Sequence, residues 1–328
     1  MNVGIIGCGH IASKLANTLK ETKTIKVIAA GSRSKEKAEA FAKEHGIERA
    51  YGSYEDVMKD NDVDIIYVAT PMSEHYNNMM LALSYNKPCI TEKAFTVNTK
   101  EAEEVLSLAK EKKVFITEAI WTRYMPCRKI ISDIIKSGRL GKVTTITANL
   151  SYDIKDKERI KKPELGGGTL LDIAIYPINF ALMAEEGIEI ESITGTAVKN
   201  EYGVDIKDSI IMNFKDGVQA LLFSDGTTDS DKRGMIYMTN GYIEVENINN
   251  PESIKIYSSG REAKLLETIV LKKDVNGYEY EFYASEKALK ENKLECPEMS
   301  HAETIRVMKI MDALRAEWNI KLGSELEE

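Results

Sequence analysis

The chain of 328 residues is sparing with the residues that build several common kinds of site. Its four cysteines, Cys8, Cys89, Cys127 and Cys296, show no C-x-x-C spacing. That excludes a disulfide framework and a zinc ribbon, and it predicts a reducing, cytoplasmic setting. The four histidines, His10, His45, His75 and His301, form no H-x-x-x-H pair, so no metal site is expected. Positive charge is in deficit, with 44 Lys and Arg against 52 Asp and Glu and a net charge of −8. A field of that sign disfavours nucleic acid or an anionic membrane as the main partner. No run of about 18 apolar residues is found, so no membrane span is expected. The first residues enter a strand-like run at once, so no signal peptide is expected. Repeats, low-complexity tracts and Pro/Ser linkers are missing too. The length suits about two domains, and these should pack closely.

Against that background the first dozen residues stand out. Val3-Gly4-Ile5-Ile6 is a short apolar strand. It runs into Gly7-Cys8-Gly9-His10-Ile11-Ala12 and then into helical spacing, with Ile11, Leu15 and Leu19 on one face. Gly7 makes the tight turn, Gly9 lets the backbone approach a pyrophosphate, and the small Ala12 lets the helix pack close to the strand. The helix start offers N–H groups and the positive end of its dipole to phosphates. The turn therefore predicts a bound dinucleotide.

Further apolar runs at 25–31, 63–69, 88–91 and 114–117 alternate with helical segments that start near Ser34, Tyr54, Ser73 and Asn98. The nearly all-apolar run at 63–69 suits a parallel sheet buried on both faces. The fold class predicted for 1–120 is α/β, a doubly wound parallel sheet. After residue 120 the pattern changes. A helix at 126–136, a strand at 143–152 and a helix at about 169–184 precede strand-like runs, with hairpin signals at Asp216-Gly217 and Asn240-Gly241. Helices return at about 278–291 and 300–317. Residues 121–328 therefore read as an α+β domain with an open, mainly antiparallel sheet, whose last helix could pack back on the first domain. The acidic end, 325–328, reads as a frayed tail.

The end of the second strand decides between coenzymes. A site for NAD usually places Asp or Glu there for the ribose 2′-hydroxyl. Here the chain reads Gly31-Ser32-Arg33-Ser34-Lys35-Glu36-Lys37, with no acid at the strand end. Ser32 as a donor, Arg33 as a bidentate or stacking cation and Lys37 as a second charge suit a 2′-phosphate. NADP is the expected coenzyme, with dual use of NAD and NADP as the main competitor.

Three stretches carry chemistry. Glu92-Lys93 follows a strand of the nucleotide sheet, where ligands bind, although a charged dipeptide alone is unremarkable. Gly166-Gly167-Gly168-Thr169-Leu170-Leu171-Asp172-Ile173-Ala174-Ile175-Tyr176 puts Asp172 and Tyr176 on one helix face in apolar surroundings. A tyrosine beside a lysine could have its pKa lowered and exchange a proton, and a core tyrosine with an aspartate cap is the plainer alternative. The three glycines could let the helix start close to a nicotinamide. In Glu118-Ala119-Ile120-Trp121-Thr122-Arg123, Trp121 could be a core aromatic or a lid over a ring-shaped substrate, and Arg123 could anchor a hydroxyl or pair with an acid.

In this order, Gly7-x-Gly9-x-x-Ala12, Glu92-Lys93-Ala94 and Asp172-x-x-x-Tyr176 resemble the Gfo/Idh/MocA family of oxidoreductases over essentially the whole chain. Tyr at 176 and the 118–123 and 166–172 segments resemble the branch of dimeric dihydrodiol dehydrogenases and NADP-dependent D-xylose dehydrogenases. The resemblance implies that Lys93 binds the reacting oxygen and Tyr176 is the general acid/base. It implies that Asp172 orients substrate or lysine, that Trp121 lines the pocket, and that two copies dimerise through the open face of the C-terminal sheet. Ala94 stands where the family has proline. The peptide before it is therefore expected to be trans, and the loop looser.

The combined reading is an oxidoreductase that prefers NADP and moves a hydride between nicotinamide and a carbinol or carbonyl of a sugar or cyclic diol. The coenzyme set is Gly7, Gly9, His10, Ile11, Ala12, Ser32, Arg33, Lys37, Thr70, Pro71, His75, Glu92, Lys93, Trp121 and Arg123. Lys93, Trp121, Asp172 and Tyr176 face the substrate, and no metal takes part. A homodimer, or a dimer of dimers, is expected. Two alternatives stand beside this reading: tightly held NAD(P) in a redox-assisted elimination or recycling reaction, and a non-catalytic NADP-binding sensor.

Overall fold

The computed structural model describes residues 1–327. The backbone divides into two compact units. The first joins Met1–Tyr124 to Lys273–Met308, and the second joins Met125–Lys272 to the chain from Lys309 on. The stretch 121–328 is thus shared between the units.

The first unit opens β1 (Asn2–Ile6), α1 (His10–Lys20), β2 (Lys26–Gly31), α2 (Lys35–His45), β3 (Arg49–Tyr51) and α3 (Tyr54–Lys59). It continues β4 (Ile65–Val68), α4 (His75–Ser84), β5 (Cys89–Glu92), α5 (Thr99–Lys112) and β6 (Ile116–Ala119). The six strands are parallel in the order β3-β2-β1-β4-β5-β6. β4 and the last four residues of β1 are wholly buried, which is why their sequences are apolar runs rather than alternating ones. Capping follows the sequence signals. The Ser34 hydroxyl accepts the Lys37 amide at 3.2 Å, and Gly46 ends α2 at φ +69°. Asn98 Oδ1 accepts the Glu101 amide at 2.9 Å to start α5. Because all strands run one way, the residues that follow them lie along one edge: Gly7, Ser32, Ala69, Lys93 and Ile120. The strand order reverses at β1 and β4, which marks the usual ligand crevice of such sheets.

The second unit contains α6 (Pro126–Lys136), β7 (Val143–Ser151), the short α7 (Glu158–Lys161), a π-helical turn (Leu170–Ala174) continuing into α8 (Ile175–Ala184), and seven further strands. These are β8 (Ile190–Lys199), β9 (Asp205–Phe214), β10 (Gln219–Asp225), β11 (Gly234–Met238), β12 (Gly241–Val245), β13 (Ser253–Ser258) and β14 (Leu265–Val270). The sheet order is β14-β13-β12-β11-β7-β10-β9-β8, antiparallel except for β7 with β10. Both expected hairpins form, and Gly217 takes φ +91° in the first. One face of the sheet packs on α8. The other exposes Ile211, Leu221, Phe223 and Tyr237. α9 (Glu279–Lys290) belongs to the first unit, and α10 (His301–Trp318) crosses from one unit's residues to the other's at Met308.

One expectation gains a detail and one changes. Pro163–Ala184 is long and apolar enough to cross a membrane by length and composition, but 83% of its most apolar window is buried inside the protein. The acidic end is not simply frayed: Glu325 accepts two hydrogen bonds from the buried Arg315, at 2.6 and 3.0 Å. Glu328 lies outside the described residues.

Candidate active site

The glycine turn has the geometry of a phosphate cradle. Gly7 sits at φ +92°, and a Cβ on it would lie 2.6 Å from the carbonyl oxygen of Ala69, so the position admits only glycine. Gly9 differs. It is exposed, its φ of −103° suits any residue, and a Cβ there would meet nothing within 4 Å. A methyl at Gly9 would fill open space in front of the α1 N-terminus. No side chain caps that terminus, and no acid stands in its first turn. The first helical N–H groups, at His10, Ile11 and Ala12, lack intrahelical partners and point where an anion fits. The residues present therefore suit a dinucleotide pyrophosphate. At the end of β2, Ser32 is buried while Arg33 and Lys37 are exposed. Thr70 is buried, accepting a hydrogen bond from Asn78 Nδ2 at 2.9 Å, and Pro71 is exposed beside it.

β5 delivers Glu92 and Lys93 half-buried at its carboxyl end. The Lys93–Ala94 peptide is cis, where the loss of proline had suggested trans. The turn is packed tightly: Ala94 and Phe95 are fully buried, the Phe95 amide donates to Glu118 Oε1 at 3.0 Å, and His75 Nδ1 lies 2.9 Å from the Ala94 carbonyl oxygen. His75, expected in the coenzyme set, braces this turn from within the unit. It is 1% exposed, and both ring nitrogens face backbone carbonyls, of Ala94 and Thr70. Burial holds its pKa down, so the neutral ring donates to one carbonyl at a time. Behind Lys93 stand three residues with no local signal in the sequence. Tyr67 donates to Glu92 Oε1, Glu281 is wholly buried, and Glu118 is pushed up to about 7 by burial.

Beyond β6, Trp121 stacks on Tyr278 at 4.0 Å with 8° between the rings. Lys14, one turn into α1, lies 4.6 Å above the Tyr278 ring. Sequence reasoning missed Lys14 and Tyr278 because the three positions are far apart in the chain. Of the two roles open to Arg123, the structure realises the ion pair. Its side chain is 1% exposed and donates to Glu303 Oε2 at 2.9 Å.

The second unit carries Asp172 and Tyr176. From Gly166 to Leu182 every residue is buried except these two, which are half-buried. The segment 170–174 is a π turn rather than the expected α-helix, a feature frequent at functional sites. Asp172 forms an ion pair with Arg159, a partner that sequence reasoning did not find. The glycines before the turn are explained inside this unit. A Cβ on Gly167 would lie 2.6 Å from the Lys162 carbonyl oxygen, and one on Gly168, at φ +112°, would lie 2.3 Å from Asp205 Oδ1. Among the described residues no group of three or more His, Cys, Asp or Glu could hold a metal.

Comparison with known proteins shows which family the chain resembles. The model of the GFO/IDH/MocA oxidoreductase family, NAD-binding Rossmann fold, matches residues 1–119, and that of the GFO/IDH/MocA C-terminal domain matches 129–244. The trans-1,2-dihydrobenzene-1,2-diol dehydrogenase of Xenopus tropicalis is 32% identical over 314 residues, 94% of this chain and 95% of that protein. The D-xylose 1-dehydrogenase (NADP(+)) of Hypocrea jecorina is 35% identical over 239 residues, 64% of this chain and 61% of that protein. The crystal structure of a 3-ketoreductase from Actinomadura kijaniata in complex with NADP and TDP-benzene superposes with a TM-score of 0.85 at 23% identity, covering 96% of this chain and 97% of that one. The chain belongs to the Gfo/Idh/MocA family and is an NAD(P)-dependent oxidoreductase.

Proposed function

We propose that the protein is an NADP-preferring dehydrogenase that interconverts a hydroxyl and a carbonyl on a sugar or cyclic diol, with Tyr176 as the general acid/base and Lys93 as the electrostatic partner. The observation that carries this reading is that Asp172 and Tyr176 alone break an otherwise buried apolar segment. A protein that only bound coenzyme would gain nothing from bringing two polar groups to the surface there. Relatives of 32% and 35% identity, a diol dehydrogenase and an NADP-linked sugar dehydrogenase, support the substrate class.

The coenzyme would be held by Gly7, Gly9 and the α1 N-terminus at its pyrophosphate and by Ser32, Arg33 and Lys37 at its 2′-phosphate. When bound, its nicotinamide supplies the hydride acceptor. In the oxidative direction Tyr176 Oη takes the proton of the substrate hydroxyl, and Lys93 Nζ stabilises the negative charge that develops on that oxygen, an effect worth a few kcal/mol. Asp172, held by Arg159, accepts a neighbouring hydroxyl and orients the ring. Trp121, backed by Tyr278, offers an aromatic face to the apolar side of the substrate.

Tyr176→Phe and Lys93→Met test the reading. Each should lower turnover of NADP with an aldose or cyclic diol by about 10² or more. In Tyr176→Phe, NADP affinity should change little. Full turnover by Tyr176→Phe would reject the acid/base assignment. The same reading includes a cytoplasmic setting, which four cysteines without C-x-x-C spacing support. It also includes a homodimer formed through the outer sheet face, where Leu221 lies directly opposite Ile211 and both are exposed. Sedimentation of wild type and Leu221→Glu would test the dimer.

A further inference from the structure

Two aspartates that this reaction does not use lie inside the second unit, next to the turn that carries the reacting residues. Asp205 opens β9 and Asp208 follows on the same strand, 0% and 2% exposed. Thr169, the residue before the π turn, bridges them. Its Oγ1 is 2.9 Å from Asp205 Oδ2 and 2.7 Å from Asp208 Oδ2.

A threonine hydroxyl carries one proton and can donate to only one of these oxygens. The second contact is a hydrogen bond only if that carboxyl itself donates, so the two carboxyls hold one proton between them. The other contacts say where. Asp205 Oδ2 accepts the Leu170 amide at 2.6 Å and is the acceptor end. Asp208 Oδ2 meets two hydroxyls, of Thr169 and of Ser224, the latter donating to it at 2.9 Å; a hydroxyl, unlike an amide, can also accept, so Asp208 is the end that can carry the proton. Burial and the charge of Asp205 push Asp208 in the same direction. The chain of donors runs from Asp208 to Thr169 to Asp205, with the first amide of the π turn donating into its far end. Gly168 is required so that Asp205 can come this close.

We propose that Asp205, Asp208 and Thr169 are positioning residues of the active site, gripping the start of the helix and fixing the π turn from which Asp172 and Tyr176 emerge. A carboxylate suits this place because helix-start N–H groups need an acceptor and the dipole favours an anion there. The second carboxyl fixes the rotamer of Thr169, and hence the direction of the grip. The proposal rests on the acid/base role of Tyr176.

The test compares Thr169→Val, Asp208→Asn and Asp208→Leu with wild type. The measurements are kcat, KM, the Kd for NADPH, and amide hydrogen exchange over 169–176. Asn keeps a neutral donor at 208, and Leu does not. Thr169→Val and Asp208→Leu should lose kcat by about 10², the effect of a small misplacement of reacting groups. They should also exchange faster over 170–176 and leave the NADPH Kd within about twofold, since that site belongs to the first unit. Asp208→Asn should retain kcat within about threefold, a rescue that loss of packing alone would not produce. Unchanged kcat and exchange in Thr169→Val, or an Asp208→Asn variant as impaired as Asp208→Leu, would overturn the proposal. If Asp208→Leu does not fold, the other two variants decide. Wild type without turnover on sugars and diols would defeat the functional reading, and the exchange data would still decide whether the pair holds the turn.

Discussion

Gly168 and Asp205 are placed so that a Cβ on the glycine would fall 2.3 Å from the carboxylate oxygen, while the glycine itself holds φ +112°. Both conditions exclude a side chain. Gly168→Ala should therefore lower stability by about 2 kcal/mol or more, through backbone strain and displacement of a buried carboxylate. A thermal melt within a degree of wild type would show that the carboxylate moves aside freely.

Gly9 gives the opposite expectation. Its backbone is ordinary, and a Cβ meets no atom of the chain within 4 Å. Gly9→Ala should leave the melting temperature unchanged and weaken coenzyme binding about tenfold or more, because the methyl occupies the space in which a pyrophosphate would approach the α1 N-terminus. Loss of stability with intact binding would mean that the glycine serves the fold.

These two glycines also show what the sequence can and cannot display. The coenzyme turn is local: strand, glycines and helix lie within a dozen residues, and burial on both faces makes the parallel strands apolar runs. The three-residue β3, half-buried and partly polar, carries no such signal. The π turn is invisible because the spacing of Asp172 and Tyr176 is the same in a π turn as in an α-helix. Asp205 and Asp208 look like ordinary polar positions in a strand until Thr169 and Leu170 reach them from another part of the chain. For the same reason Tyr278 behind Trp121 and Glu303 beside Arg123 could not be anticipated. Local motifs nominated the candidate site residues, and long-range packing set the burial and partners of each.

Arg33 is the exposed cation at the end of β2, where no acid stands to receive a ribose hydroxyl. Arg33→Ala should raise the Kd for NADP about tenfold or more, the loss of one charge-assisted contact to phosphate, and leave that for NAD within about twofold. Titrating both coenzymes against wild type and variant checks this. An NAD preference in wild type that survives the substitution would reject the 2′-phosphate assignment.

Glu118 links stability to pH. Burial raises its carboxyl from 4.5 to about 7, and the Thr304 hydroxyl and Phe95 amide offset only part of that. Between about 4.5 and 7 the folded state holds a proton that the unfolded state has released, so this group's contribution falls as pH rises through that window. The full change is on the order of 3 kcal/mol. Glu118→Gln keeps an acceptor for the Phe95 amide and cannot titrate. Its stability should decline less than that of wild type between pH 5 and about 7.5 in denaturant melts. Parallel pH curves would show that Glu118 stays ionised when folded.

Arg123 completes the set, because its place in the structure separates a structural role from a ligand-binding one. The guanidinium is 1% exposed and paired with Glu303, itself 27% exposed. Replacing one partner of a buried pair typically costs about 3 kcal/mol or more, although the partial exposure of Glu303 and its second partner, Arg306 at 3.3 Å, relieve some of it. Arg123→Met should thus lower the melting temperature by several degrees, and Arg123→Met combined with Glu303→Leu should recover much of the loss. A coenzyme-anchoring arginine would behave differently. Its loss would raise the NADP Kd by tenfold or more at temperatures where the variant is fully folded, and no change at Glu303 would restore it. The double-variant melt, read beside coenzyme affinity below the transition, distinguishes the two roles.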